Sequence, residues 1–402
     1  MTIRKFLLPC LLLLPAVSSA CAQAPITPDG EQYDNDKITL GAARTEVYLP
    51  VLEGKRVALL SNHTGMVDSV HTLDLMLSKG VKVTTIFSPE HGFRGDADAG
   101  EHVSSSVDKK TGIPIASMYD GKKKGPSKEV MDNIDVIVVD IQDVGLRYYT
   151  YYITMVDLMN AAVAHGKEFV VLDRPNPNGM TVDGPILDMK FKSGVGRLPI
   201  TISHGMTLGE IAQMVNGEGW LDGGKKVKLT VVPCEGYTHQ SRYRLPVAPS
   251  PNLPNMKAVY LYTSTCFFEG TPVSLGRGTE MPFQIYGHPD MKGYDFSFTP
   301  RSRAGAKNPP QLNRLCHGRD LRSLSNEEII AGGVNLEYVI DAYNNLKIGD
   351  EFFTKFFNLL AGNDIIRQQI QSGMSAEEIK ATWAEDIAAF RARRAPYLLY
   401  AE

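Results

Sequence analysis

The chain has 402 residues, a formal net charge of −3, 43% hydrophobic residues and 22% charged residues. Such a composition fits two globular domains of ordinary size and excludes a chain that is disordered or fibrous throughout. The charge balance gives no basic face of the kind a nucleic-acid partner requires, so no nucleic acid is expected.

In chain order, the first element is a targeting segment. Arg4 and Lys5 precede an apolar run from Phe6 to Val17, too short to span a bilayer as a helix. Ser18, Ser19, Ala20 and Cys21 are small, so residues 1–20 read as a signal peptide. The junction resembles a bacterial lipobox, with Ser18 where leucine is usual. It leaves two outcomes open: a lipid anchor on Cys21, or plain cleavage at Ala20-Cys21-Ala22 or Ala22-Gln23-Ala24. Either way an exported protein is expected, periplasmic or an outer-membrane lipoprotein. Residues 21–36 read as a tether.

Strands and helices then alternate. Arg56 to Leu60 is an apolar strand ending in Ser61-Asn62-His63-Thr64-Gly65, and Thr72 to Lys79 is a helix stopped by Gly80. Lys82 to Phe87 ends in Ser88-Pro89-Glu90-His91-Gly92-Phe93-Arg94-Gly95. Ile134 to Val139 ends in Asp140-Ile141-Gln142-Asp143-Val144-Gly145. Tyr151 to His165 is a helix closed by Gly166, and Phe169 to Leu172 ends in Asp173-Arg174-Pro175. This alternation predicts an α/β fold: a Rossmann-like, doubly wound parallel sheet covered on both faces. In such sheets ligands lie at the carboxyl ends of the strands, so the four polar clusters should converge. No Gly-x-Gly-x-x-Gly follows the first strand and no Walker-type loop is present, so no nucleotide cofactor is expected.

Past Gly184 the pattern changes. Thr207-x-x-Glu210 opens a helix, Lys226 to Pro233 reads as a half-exposed strand, and Pro246 to Pro254 is a shaped loop. Tyr260 to Thr265, Gln284 to Tyr286 and Phe296 to Phe298 are strand candidates. Helices are expected over Asn335 to Leu346, Glu351 to Leu360 and Ala376 to Arg391. The domains therefore read as 37–190, Rossmann-like and catalytic, and 191–402, a smaller α+β domain with C-terminal helices that completes the cleft. Cys234, Cys266 and Cys316 fit no zinc spacing and read as buried or half-buried thiols. Trp220 and Trp383 read as packing, His288 and His317 as surface residues, and His204 as either a cleft residue or a satisfied junction histidine.

The clusters carry the chemistry. Glu90 sits on a loop shaped by Pro89, Gly92 and Gly95; it reads either as a general acid whose pKa partial burial would raise, or as a loop carboxylate that caps a helix or pairs with Arg94. Asp140 and Asp143, three apart in a turn, could act as base or nucleophile, orient a water or bind sugar hydroxyls. Arg147 offers a planar fork for a carboxylate, and Tyr149 and Tyr151 offer faces and hydroxyls. Asp173 and Arg174 read as a structural ion pair beneath the site.

The strings from Ser61 to Gly65, Ser88 to Gly95, Asp140 to Tyr151, Leu172 to Pro177, Pro249 to Pro254 and Phe268 to Thr271 resemble the NamZ-type exo-β-N-acetylmuramidases. The resemblance runs from about residue 40 to the C-terminus. It implies a peptidoglycan glycosidase that releases N-acetylmuramic acid from the non-reducing end of wall fragments, with the cleft between a Rossmann-like and an auxiliary domain. It implies Glu90 as a catalytic residue; the second group, Asp143 or Asp140, is inferred from position. The substrate-binding candidates are Asn62, His63, His91, Arg94, Gln142, Arg147, Tyr149, Tyr151, Glu269, Arg277 and Glu280. Arg147 and Arg277 are the candidates for the lactyl carboxylate of muramic acid. The pattern departs at Leu275, where relatives carry an acid, so Glu269 or Glu280 would cover that role if it is catalytic. No metal is expected. The rival readings are a metal-dependent cell-wall amidase using His63, Glu90, His91, Asp140 and Asp143, and a non-catalytic exported protein that binds glycan or muropeptide.

Overall fold

The computed structural model describes residues 25–89, 93, 106–118 and 125–402. The signal-peptide segment and Glu90, His91 and Arg94 lie outside these residues.

Six parallel strands form the main sheet: β1 (Arg56–Ser61), β2 (Lys82–Ser88), β3 (Pro114–Ser117), β4 (Val136–Asp140), β5 (Glu168–Leu172) and β6 (Lys228–Val232). Their order is β3-β2-β1-β4-β5-β6, with the short segment Ser106–Val107 antiparallel on the outer edge of β3. This is the doubly wound order with its switch point between β1 and β4, the place where sheets of this order bind ligands outside the carboxyl ends of their strands. The reason is visible in the strands. Because side chains alternate across a strand, Val57, Leu59, Val136, Val138 and Val170 pack on one face with Tyr48, Leu73 and Met76. Ala58, Leu60, Ile137, Val139, Phe169 and Val171 pack on the other with Tyr152, Met155 and Met159. Helices α1 (Thr45–Leu52) and α2 (Thr72–Ser78) supply the first face. α3 (Lys128–Asp132), α4 (Tyr151–His165) and α5 (Leu208–Gly217) supply the second. Gly166, at φ 63, closes α4 in the left-handed region. The capping box Thr207–Glu210 opens α5.

Lys228–Val232, expected in the second domain, is the sixth strand of the main sheet, paired in parallel with β5. The Rossmann-like unit therefore continues past residue 190. Its partner strand comes from a sequence neighbour only after a long excursion, which periodicity cannot show.

The second half holds a three-stranded antiparallel sheet, β7 (Ile285–His288), β8 (Phe296–Phe298) and β9 (Cys316–Asp320), with β9 central. The helices of this half are α6 (Met256–Thr265), α7 (Asn326–Gly332), α8 (Glu337–Leu346), α9 (Lys355–Ala361), α10 (Ile365–Gln371), α11 (Ala376–Ala381) and α12 (Ala384–Arg394). α6 was expected to be a strand. Its β-branched and aromatic residues suggest one, but burial on nearly every side and the Asn255 cap on Ala258 make it a core helix. The expected helix over Glu351–Leu360 begins only at Lys355, where Thr354 caps it. The expected helix over Ala376–Arg391 is two helices broken at Thr382 and Trp383, and Trp383 is buried. His288 is buried rather than on the surface, with its Nδ1 accepting from Asp290 N. The described cysteines, Cys234, Cys266 and Cys316, are free and buried. The tether is pinned from residue 25 onward: Ile26 is buried, its carbonyl accepts from Arg244, and Thr27 N donates to Pro254 O.

One hydrophobic core runs through both halves, and Arg147 sits inside it. Its side chain is fully buried. Nη1 donates to Pro185 O (2.9 Å) and Ile200 O (3.0 Å), and Nη2 donates to Leu360 O (3.2 Å) and Ala361 O (2.7 Å). Burial pushes the guanidinium down to about 10, so it stays charged at neutral pH. Arg147 therefore is not a reader of a substrate carboxylate; it ties α9 to the loop after β5. Arg147→Met should strand these carbonyls and destabilise the fold by about 3 kcal/mol, read as a lower urea midpoint at unchanged slope.

Candidate active site

The register brings the polar clusters together. Ser61 faces Asp140 across the β1–β4 pair, and Ser88 faces Ser117 across the β2–β3 pair. At the end of β1, Asn62 is fully buried. Its Oδ1 accepts from Thr64 N (2.9 Å) and Thr64 Oγ1 (2.6 Å), and its Nδ2 donates to Tyr151 Oη (2.9 Å). Asn62 thus shapes the turn rather than meeting a sugar. His63 Nε2 lies 2.9 Å from Ala248 O, so the Pro-rich loop of the second half closes over this turn. Tyr149 Oη donates to Pro249 O at 2.8 Å and Tyr151 Oη to the same carbonyl at 3.3 Å. The tyrosines expected to meet substrate through their hydroxyls hold the roof instead.

Asp140 is also a correction. Arg174 grips it in a bidentate pair, Nε to Oδ1 at 2.6 Å and Nη2 to Oδ2 at 2.9 Å, with both side chains buried. Both carboxylate oxygens are occupied by this pair, which fits a structural brace and not a nucleophile. Arg174 was expected to pair with Asp173. Consecutive residues leaving a strand point to opposite faces, so the two side chains diverge. Asp173 instead accepts from Thr207 Oγ1 (2.6 Å), Gly209 N (2.8 Å) and Tyr400 Oη (2.6 Å), and burial pushes its carboxyl up to about 6.

Asp143 differs from both. Its Oδ1 accepts from Gly145 N at 2.7 Å, while its Oδ2 is buried with no hydrogen-bond partner among the described residues. Burial pushes its carboxyl up to about 7, against backbone amides of Gly145, Val144 and Tyr152 that favour the charged form. Gly145 has φ +80, and a Cβ there would lie 2.1 Å from Asn176 Oδ1, so the turn that carries Asp143 demands glycine. Beside it, Gln142 Nε2 donates to Asp143 O and Pro175 O, both at 2.8 Å, and its Oε1 is a second unpartnered buried atom among the described residues. Arg174 Nη1 is a third. Gln142 and Asp143 are neighbours on the turn after β4, and unpartnered buried polar atoms on such a turn call for a ligand or ordered water.

From the second half, Glu269 and Arg277 form an ion pair at 2.6 Å, with side chains 24% and 18% exposed. Arg277 lies over the Phe283 ring, 4.9 Å from its centroid. Glu280 is exposed and pairs with Arg303. Leu275 is fully buried, and Phe283 N donates to its carbonyl, so the core fills the position where an acid was expected. His204 is fully buried; burial and the charges of Arg394 and Arg147 push it down to about 3, and its Nδ1 accepts from Met206 N. It is a neutral junction histidine, not a cleft residue. Sequence reasoning missed Arg174 as the clamp of Asp140 and His71, which accepts from Leu73 N to cap α2 while its Nε2 meets Asn62 O at 2.8 Å. Arg174 has no local sequence signal, because its partners come from other strands and loops; the His71 cap on Leu73 N is local, but its contact with Asn62 O, nine residues back, depends on the turn between them. Among the described residues no three His, Cys, Asp or Glu side chains group as a metal site.

Two family models match in tandem: "Exo-beta-N-acetylmuramidase NamZ, N-terminal" over residues 57–257 and "Exo-beta-N-acetylmuramidase NamZ, C-terminal" over 260–400. The chain belongs to the NamZ exo-β-N-acetylmuramidase family. It is therefore a glycoside hydrolase by family. It is 38% identical over 372 residues to the peptidoglycan β-N-acetylmuramidase NamZ of Bacillus subtilis strain 168, covering 88% of this chain and 89% of that protein. A DUF1343 family protein of Bacteroides fragilis NCTC 9343 superposes with TM-score 0.86 at 59% identity, over 91% of this chain and 99% of that one. A second from the same organism gives 0.74 at 28% identity, over 90% and 99%.

Two outcomes follow from the geometry. Arg174→Met should leave Asp140 buried and unpaired and cost about 3–5 kcal/mol in denaturant unfolding. Asp143 has a folded pKa raised from 3.8 to about 7, so the folded state holds a proton that the unfolded state has lost between those values. Its contribution is present in full below about pH 4 and is lost as pH rises to about 7. Asp143→Asn should remove that loss, so the variant gains stability relative to the parent as pH rises from 4 to 7 in urea titrations.

Proposed function

We propose that this protein is an exo-acting β-N-acetylmuramidase, releasing N-acetylmuramic acid from the non-reducing end of peptidoglycan fragments by carboxylate acid/base chemistry. The observation that carries the reading is the 38% identity to the Bacillus subtilis peptidoglycan β-N-acetylmuramidase along nearly the whole of both chains. Glu90 is the general acid, on the strength of the family resemblance of its loop. Asp143 is the second carboxyl. A carboxyl with a pKa near the working pH suits a general base, which takes a proton from a water or steadies the acetamido group of the sugar. Its Oδ2, without a hydrogen-bond partner among the described residues, is the atom that would do so. Arg277 is the reader of the lactyl carboxylate: a guanidinium keeps further N–H donors when one carboxylate occupies part of its fork.

Glycosidases place their two carboxyls about 5–5.5 Å apart for retention and about 6.5–9.5 Å apart for inversion, and the acetamido group offers a substrate-assisted route. The stereochemistry of released muramic acid, followed by NMR, separates these. Export belongs to the same proposal, supported by the basic start, short apolar run and small residues up to Cys21. Mass spectrometry of the mature N-terminus tests it.

The purified protein should release nitrophenol from para-nitrophenyl β-N-acetylmuramide, but not from the matching N-acetylglucosaminide, and a chelator should not change the rate. Glu90→Gln and Asp143→Asn should each lower kcat by at least about 100-fold. Asn at 143 can still accept from Gly145 N, so the fold should survive and melting should separate catalysis from collapse. Sugar binding without turnover in the parent protein would sink the proposal.

A further inference from the structure

The Pro-rich loop that roofs the strand ends also walls a second space. Ala248 and Pro249 face the site, holding His63, Tyr149 and Tyr151 through their carbonyls. Two residues further on, at most about 7 Å of chain, Pro251 begins the lining of a groove of 380 Å³. Asn252 and Pro254 continue that wall, and Thr279, Glu280 and Arg303 stand among the residues that complete it.

The groove is held open by its backbone. Asn252, 4% exposed, donates through Nδ2 to Gly305 O at 2.8 Å. Arg301 N donates to Gly278 O at 2.9 Å, and Arg303 and Ala306 exchange hydrogen bonds of 3.1 and 3.0 Å. Gly278 has φ +80, and a Cβ there would come within 2.5 Å of Arg301 O, so the walls meet at a point only glycine allows. Proline on the lining adds stiffness, and a preformed groove spares a ligand the cost of ordering it.

Its charge is specific. The Arg303 side chain is 43% exposed and meets Glu280 Oε1 at 3.1 Å, where Glu280 is 83% exposed. Such an exposed pair is weak, so it orients the guanidinium while leaving it ready to exchange partners. A ligand carboxylate can take the planar fork with two parallel hydrogen bonds.

We propose that this groove is a distal subsite on the reducing side of the scissile bond, where Arg303 binds the free lactyl carboxylate of the next muramyl residue. The inference rests on the glycosidase reading and deepens it. Wall glycan alternates N-acetylmuramic acid with N-acetylglucosamine. With one muramyl residue at the strand ends, the next anionic group lies beyond a neutral sugar, and the groove lies beyond the roof loop. The subsite makes the enzyme prefer glycan whose downstream lactyl groups carry no peptide, since an amide-linked lactyl group has no charge to offer.

The test measures kcat and KM for the parent, Arg303→Gln and Arg303→Lys. The substrates are para-nitrophenyl β-N-acetylmuramide, a tetrasaccharide with a muramyl non-reducing end and free lactyl groups, and the same tetrasaccharide with its downstream lactyl group amidated. Arg303→Gln should raise KM for the free tetrasaccharide about tenfold, the size of one charge-assisted hydrogen bond, with the nitrophenyl glycoside unchanged. Arg303→Lys should recover part of the loss. The parent should show the raised KM on the amidated tetrasaccharide, with no further effect of Arg303→Gln. An unchanged KM on the free tetrasaccharide, or an equal loss on all substrates, would overturn the subsite while leaving the glycosidase reading in place. A parent protein inactive on every substrate would overturn both.

Discussion

The fold around the site depends on one buried ion pair. Arg174 leaves the end of β5, grips both oxygens of Asp140 at the end of β4, and donates through Nη2 to Met66 O beyond β1. Three neighbouring strand ends are thereby held by one guanidinium whose side chain is 2% exposed. A buried charge is tolerated only when it is paired and hydrogen-bonded, so neither partner can turn outward to meet a sugar. That constraint fixes the place of Asp143, three residues along the same turn. It also makes Gly65 necessary, since a Cβ there would lie 2.2 Å from Ser61 Oγ and 3.2 Å from Asp140 Oδ2.

The second half of the chain is attached by the same device. Arg147 has no carboxylate beside it; main-chain carbonyls from both halves solvate its charge. Tyr148 donates to Tyr262 O, and Tyr149 and Tyr151 to Pro249 O. Residues 147–151 thus serve mainly to seat the second half on the first, and the roof loop they hold is shared between the strand-end site and the groove beyond it. The C-terminus joins this frame, since Tyr400 donates to Asp173 and accepts from Cys234 N.

Much of the fold was legible in the sequence. The apolar runs of β1, β2, β4 and β5 and the stop at Gly166 are local signals, and they gave the parallel sheet and the convergence of its polar ends. α6 was misread because its aromatic and β-branched residues favour a strand until burial on all sides is known. β6 was misplaced because its partner, β5, lies some sixty residues earlier in the chain.

Of the site, sequence alone determined which residue types stand at the strand ends, because strand, turn and capping preferences act over a few neighbours. It also determined the family, because motifs of this length and order rarely coincide. Only the tertiary structure decided which of those residues are free to react. Asp140 and Asp143 look alike in the sequence, as do Arg147 and Arg277. Partners from distant strands and loops separated them: buried contacts take both oxygens of Asp140 and both terminal nitrogens of Arg147, while among the described residues Asp143 keeps one oxygen without a partner, and Arg277 stays partly exposed. Pairing and burial depend on the whole fold, and they decide whether a charged side chain holds the structure or faces a substrate.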